Sequence, residues 1–136
     1  MPFVNAKFRE LIGKEPMGDG YCVTLVKEVF PELKDKHTSS WRAGKNVLQS
    51  RTVAPGTAIA TFVDGRYPAK NRGNHAAIFY GYAGDSAFWI VDQYRGSKTY
   101  TLIGARLLRP PRPNRDGSLP ENMSNIPSAF WTIELR

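Results

Sequence analysis

Cysteine occurs once among the 136 residues and histidine twice. A single cysteine forms no internal disulfide, so the fold is not expected to depend on an oxidising compartment. So few sulfur and imidazole groups cannot assemble a structural zinc set, and no HExxH, EF-hand or glycine-rich phosphate-loop pattern appears. No metal and no cofactor is expected. Acidic residues are also short, at 12 against 19 Lys and Arg, which gives a formal charge of +7 and a pI near 9.8. Such a surface suits polyanions, whether nucleic acid, acidic polysaccharide, cell wall or an acidic protein. No recognised nucleic-acid motif accompanies the charge, so no nucleic-acid partner is expected. No apolar run approaches membrane-spanning length, and no membrane partner is expected. The first residues, MPFVNAKFRELIGKEP, are amphipathic and charged, without the apolar core of a signal peptide. Synthesis in the cytoplasm, with any export by a non-classical route, is the expectation.

What is present is an ordinary globular composition, 41% hydrophobic and 12% aromatic. The length suits one domain spanning residues 1–136. Phe3, Phe8, Leu11 and Ile12 make a short helix-like apolar face. A loop with Pro16, Gly18 and Gly20 follows. Val23, Val26, Val29 and Phe30 recur at helical spacing, which predicts a helix over 22–30 stopped by Pro31, with Lys34–Lys36 as a solvated loop. Thr38–Ser40 predict a cap for a short turn through Trp41 and Arg42 that ends at Gly44. Strand patterns then take over: 57–63, closed by Asp64-Gly65; 75–82 and 87–94, joined as a hairpin; 97–103; and 129–135 after a proline-rich loop over 109–128. Helices first and a mostly antiparallel sheet afterwards predict an α+β fold, with the N-terminal helices packed on the sheet.

The lone thiol sits where a turn becomes a helix. Cys22 follows "GDGY", residues 18–21, and opens the first helical turn. Unpaired N–H groups there carry partial positive charge, which favours a thiolate. Gly18 and Gly20 permit a sharp turn and a close backbone approach by substrate. The alternative is a buried cysteine acting as a small apolar residue. His37 lies in a charged loop and reads as solvated. His75 opens a strand after Gly73-Asn74, and Ala76 and Ala77 leave room beside its ring. A thiol at a helix start and an imidazole at a strand start form a nucleophile–base pair.

A third group should orient the imidazole. With Gly84-Asp85 as a two-residue turn, Tyr94 opposes His75 and Asp92 opposes Ala77. Asp92 is then a diagonal neighbour of His75, with Cα atoms about 7–8 Å apart. A register slip of one residue would present Gln93 instead, so Asp92 is the expected orienter and Gln93 its reserve. An aspartate inside the apolar run "FWIVDQY" is costly to bury unless paired. The Cys22 N–H and a group from Tyr21 are the expected oxyanion donors, with Gln93 in support. Gly20, Trp41, Arg66, Asn74 and Tyr94 are the expected substrate contacts. Trp41 reads equally as core, and three basic residues in a loop, as Arg66, Lys70 and Arg72 are, are more often a solvated surface than a grip on an anionic stem. Arg106, Arg109, Arg112 and Arg115 read as a basic patch in and before the proline-rich loop.

"GYCVTLVK", "GNHAAIF" and "VDQY", in that order, resemble the papain-like cell-wall cysteine peptidases of the NlpC and CHAP type. With "TSSWRAG" and "PGTAIATFVDGRYP" they look most like the small amidase effectors of type VI secretion systems. The resemblance runs from about Gly18 to Tyr94, and nothing after Gly96 contributes to it. It implies a papain-like fold and a cysteine amidase that cuts amide bonds in peptidoglycan stem peptides or cross-links. It implies delivery by a type VI secretion apparatus into the periplasm of a competing cell, and a cognate immunity protein in the producer. Two other readings stay open at this stage. One is a non-catalytic cationic module that binds wall polymer or nucleic acid. The other is a Cys-His deamidase or transglutaminase-like toxin acting on protein.

Overall fold

Apolar residues alternate along the strands, and the sheet they build has a core on each face. The computed structural model describes residues 2–68, 73–94, 101–118 and 123–135. The strands are β1 (Trp41–Asn46), β2 (Ala58–Thr61), β3 (Ala76–Tyr82), β4 (Phe88–Asp92), β5 (Gly104–Leu108) and β6 (Phe130–Leu135). They form one sheet in the order β1-β6-β2-β3-β4-β5, and every neighbouring pair is antiparallel. The helices are α1 (Cys22–Val29), α2 (Pro31–Lys34) and α3 (Val47–Ser50). The α+β class expected from the sequence is therefore the observed one. Among the described residues, no helix is long and apolar enough to cross a membrane.

Ala58, Ala60, Ala76, Ile78, Val91 and Ile133 pack with Leu25, Val26 and Val29 of α1, Leu33 of α2, Phe8 and Trp41. Ile59, Ala77, Phe79, Phe88, Ile90, Leu108 and Phe130 pack on the other side with Val47 of α3. The period of two explains the division, because successive side chains of a strand leave on opposite faces. Leu25 and Val26 are fully buried, and each such side chain contributes about 1.5–3 kcal/mol. Three alanines under α1 have a further effect. Their small size lets the helix lie close to β3, so that its first turn meets the start of that strand.

Several boundaries differ from the sequence reading. Pro31 stops α1 but also opens α2 at its first position, where its missing N–H costs nothing, so Lys34 is helical and not loop. The expected turn through Trp41 and Arg42 is the strand β1, which pairs Trp41, Arg42 and Ala43 with Leu135, Glu134 and Ile133 of β6. Its composition is a poor strand signal, and the partner strand decides the conformation. A Cβ at Gly44 would run into Thr132 Oγ1 and the Glu134 carboxylate, so β1 needs glycine to lie against β6. The strand expected over 97–103 is found at Gly104–Leu108, and residues 97–100 lie outside the described residues.

The β3–β4 hairpin holds two compensating shifts. Its turn contains Gly84, Asp85 and Ser86, one residue more than expected, with the Ala83 N–H donating to the Ala87 carbonyl. A bulge between Phe79 and Gly81 then absorbs one residue. Beyond it Phe79 pairs with Ile90 and Ile78 with Val91. That is the register a two-residue turn would have set, and one step further it puts Asp92 beside Ala77.

Candidate active site

The helix start that carries Cys22 is fixed by the loop before it. Gly18 and Gly20 have φ of 57° and 83°, the left-handed region where glycine is unstrained. Asp19 Oδ1 accepts from the Tyr21 N–H at 3.0 Å and from the Thr24 hydroxyl at 2.6 Å, which ties the loop to the first helical turn. Gln93 is fully buried and reaches the same loop. Its Oε1 accepts from the Met17 N–H at 2.7 Å, and its Nε2 donates to the carbonyls of Met17 at 3.0 Å and Tyr21 at 2.8 Å.

The base is held by the sheet. The His75 N–H donates to Thr61 Oγ1 at 2.9 Å, and the Thr61 N–H donates to the His75 carbonyl at 2.9 Å. The imidazole packs 5.4 Å from the Tyr94 ring and edge-on to Phe130 at 6.4 Å. His75 Nε2 is 2.6 Å from Asp92 Oδ2, and both side chains are 2% exposed. The same imidazole interacts with Cys22 as well as with Asp92, and imidazole and thiol each shift the other's proton affinity.

The electrostatics follow from these contacts. Burial pushes the Cys22 thiol up, but the bond and charge of His75, with the N–H groups of Ala76 and Val23, outweigh it and hold the thiol below its ordinary value. Burial pushes His75 down, while the hydrogen bonds to Asp92 and Cys22 and the charges of both raise it to about 9. Burial would raise Asp92, yet His75 and the Arg106 guanidinium hold it below the usual carboxylate range. The two shifts, thiol down and imidazole up, favour a thiolate–imidazolium pair over the neutral thiol and imidazole. Such a pair is a ready nucleophile with a proton donor beside it.

Other expected residues stand elsewhere. Trp41 is fully buried against Tyr67, with ring centroids 5.2 Å apart, so it is core and lines no substrate surface. Tyr21 exposes its side chain, but its N–H is taken by Asp19 and its carbonyl by Gln93 and the helix, so its backbone supplies no oxyanion donor. Gln93 neither orients His75 nor has an amide hydrogen left for an oxyanion, because both are given to the entry loop. Gly20 lies in that loop. Asn74 donates to the Pro68 carbonyl at 2.7 Å and so braces the chain before His75. Arg66 is exposed on the Asp64-Gly65 hairpin, and Tyr94 stays beside the imidazole. Lys70 and Arg72 lie outside the described residues.

Two residues were missed. Tyr67 interacts with Cys22, and burial together with the sulfur's charge pushes its proton affinity up. It sits in an irregular loop whose course no local pattern fixes. Arg106, grouped by sequence with a basic patch, turns inward to Asp92, while Arg109, Arg112 and Arg115 are exposed.

The family model described as "Domesticated amidase effector 2" matches residues 5–118. The chain belongs to that family. A "Type VI secretion amidase effector 2 protein" of Salmonella typhi is 32% identical over 140 residues, covering 98% of this chain and 100% of the relative. A "Domesticated amidase effector 2" of Ixodes scapularis is 35% identical over 115 residues, 84% of this chain and 70% of the relative. The solved structure of "Type 6 secretion amidase effector 2 (Tae2)" superposes with a TM-score of 0.83 at 30% identity, covering 98% of this chain and 95% of that one. The amidase effector fold is therefore this chain's fold, and the chain is a hydrolase of the amidase effector class. The likeness also continues past Gly96, where the sequence offered no motif. Family membership displaces the two other readings, a non-catalytic binding module and a deamidase-type toxin.

Proposed function

We propose that this amidase effector cuts peptidoglycan amide bonds with Cys22 as nucleophile, His75 as acid and base, and Asp92 as the group that orients His75. One observation carries the assignment: a single buried imidazole interacts with the only cysteine sulfur and hydrogen-bonds a buried carboxylate, at 2.6 Å. The Cys22 thiolate attacks the carbonyl carbon of the scissile amide. The carbon–nitrogen bond breaks as the His75 imidazolium gives its proton to the departing amine, leaving a thioester on Cys22. Water then attacks the thioester, His75 takes its proton, and a carboxylate departs as the thiolate is restored. Asp92 keeps the ring in the tautomer and rotation that both steps need. The six strands draw on both halves of the chain, which supports treating residues 1–136 as one domain.

The charge of +7 suits a wall rich in carboxylates. Two relatives carry type VI secretion in their names, which supports delivery by such an apparatus; the periplasm of a target cell is the place of action we propose. A cognate immunity protein with an acidic face is the partner such a cationic toxin requires in its producer.

The test is digestion of purified sacculi, with mass analysis of the released fragments. Cys22→Ala and His75→Ala should each lose about 1,000-fold or more in rate. Cys22→Ala should keep the melting temperature within a few degrees, because Cys22 is only partly buried. Cys22→Ala protein that still released wild-type amounts of peptide would refute the assignment.

A further inference from the structure

Asp92 has a second diagonal neighbour. In the β4–β5 ladder Asp92 opposes Gly104 and Ile90 opposes Arg106, so Arg106 lies across β5 as His75 lies across β3. The residues beside Asp92 on the two flanking strands, Ala77 and Gly104, are small and leave the carboxylate open to both. Arg106 fills that space. Its Nε donates to Oδ2 at 3.0 Å and Oδ1 at 3.2 Å, and its Nη2 donates to Oδ2 at 2.8 Å. Its Nη1 donates to Asn125 Oδ1 at 3.2 Å, and the guanidinium stands 5.6 Å from the Tyr94 ring. The side chain is 11% exposed, unlike a solvated surface arginine. Oδ2 therefore receives His75 and Arg106 together.

We infer that Arg106 is a positioning residue of the reaction, acting through Asp92: it holds the carboxylate in the one rotation and the one charge state in which Oδ2 serves His75. This rests on the reading of Cys22, His75 and Asp92 given above. A buried carboxylate without a cation would either take a proton or turn toward water. A neutral Asp92 would no longer favour the imidazolium, and the thiolate would lose its partner. With Arg106 in place, charges alternate along the line of contacts, from sulfur to imidazolium to carboxylate to guanidinium. The titratable or charged groups facing this line are Cys22 from α1, Tyr67 from the loop before β3, His75 ahead of β3, Tyr94 after β4 and Arg106 from β5.

The experiment compares full-length wild type, Arg106→Gln, Arg106→Lys, Asp92→Asn and the Arg106→Gln/Asp92→Asn double variant. Sacculus hydrolysis gives the rates. Ultraviolet absorbance of the thiolate gives the Cys22 titration, unambiguous because the chain has one cysteine. Arg106→Gln should lower kcat/KM about 10- to 100-fold, the usual loss for a residue supporting a ligating group. Its Cys22 midpoint should move to higher pH, since removing a cation raises the proton affinity of every group nearby. Arg106→Lys keeps the charge and loses the fork, so its midpoint should stay near wild type while kcat falls. In the Asp92→Asn background, Arg106→Gln should cost little more. An unmoved midpoint in Arg106→Gln, or full additivity in the double variant, would overturn the inference. Should Arg106→Gln not fold, a Lys variant with wild-type kcat would overturn it equally. A Cys22 that titrates as an ordinary thiol in wild type would instead bring down the nucleophile reading itself.

Discussion

Cys22 stands on a helix of eight residues whose entry loop is tied to the end of β4 by the neutral amide of Gln93, and to the helix itself by Asp19. His75 stands at the head of an interior strand and is fixed by charge, through Asp92 and Arg106. Neighbouring residues at the end of β4 serve both sides: Asp92 faces the imidazole and Gln93 faces the loop that positions the sulfur. The alternation of a strand makes this possible, because successive side chains leave on opposite faces. The division carries a physical consequence. Damage to the neutral side should appear as lost stability and lost position, and damage to the charged side as a displaced titration.

The sharpest way to break that division is Asp92→Asn. The substitution keeps the shape and removes the charge that stabilises the imidazolium. Hydrolysis should fall on the order of 1,000- to 10,000-fold, the loss seen when the orienting carboxylate of a catalytic triad is neutralised. The residual activity should also have a different pH profile. In wild type the alkaline limb follows His75, raised to about 9. Removing the anion lowers the imidazole's proton affinity, so the limb should move to lower pH. Rates on sacculi measured between about pH 5 and pH 10 decide it. An alkaline limb still at the wild-type position in Asp92→Asn would mean that the charge does not set the ring's state.

Gln93→Leu asks the same question of the neutral side, with a smaller loss. Leucine fills much of the volume but leaves the Met17 N–H and carbonyl without their present partner and removes one donor from the Tyr21 carbonyl. Such groups cost about 1–3 kcal/mol each when buried, so a total of about 2–4 kcal/mol is expected. Calorimetry should show a melting temperature lower by about 10 °C. Iodoacetamide should alkylate Cys22 at a changed rate but with its pH midpoint held, since no charge is altered. A midpoint displaced as far as in Asp92→Asn would erase the distinction between the sides.

The neutral side was the more legible one. Glycines at 18 and 20 and a helical apolar period from Val23 are local signals, and they placed Cys22 at the helix start. The charged side was legible only as far as a ladder can be counted. Asp92 was located by register, although the turn was one residue longer than assumed and the bulge at Tyr80 restored the alignment. Arg106 was out of reach for the same reason. Its strand begins at Gly104, later than the apolar pattern of 97–103 suggested, and without that register an arginine near prolines looks solvated. Trp41 shows the opposite failure. Its strand is imposed by β6, a contact between residues far apart in the chain, and no nearby residue announces it.

The gentlest probe places one substitution on each side. Gly18, before Cys22, and Gly73, before His75, both have positive φ, at 57° and 86°. Alanine strains the backbone at either position by about 1–2 kcal/mol. The surroundings differ. A Cβ at Gly73 meets nothing within 4 Å, whereas a Cβ at Gly18 would lie 2.6 Å from Thr24 Cγ2. Thr24 is not free to rotate away at no cost, because its hydroxyl donates to Asp19 at 2.6 Å. Gly18→Ala should therefore lose that bond as well, about 1 kcal/mol beyond Gly73→Ala. The melting temperatures should differ by about 3–5 °C, with Gly18→Ala the lower. Equal losses at the two positions would mean that the entry loop of α1 has slack, and that the sulfur is placed by His75 and not by the loop beneath it.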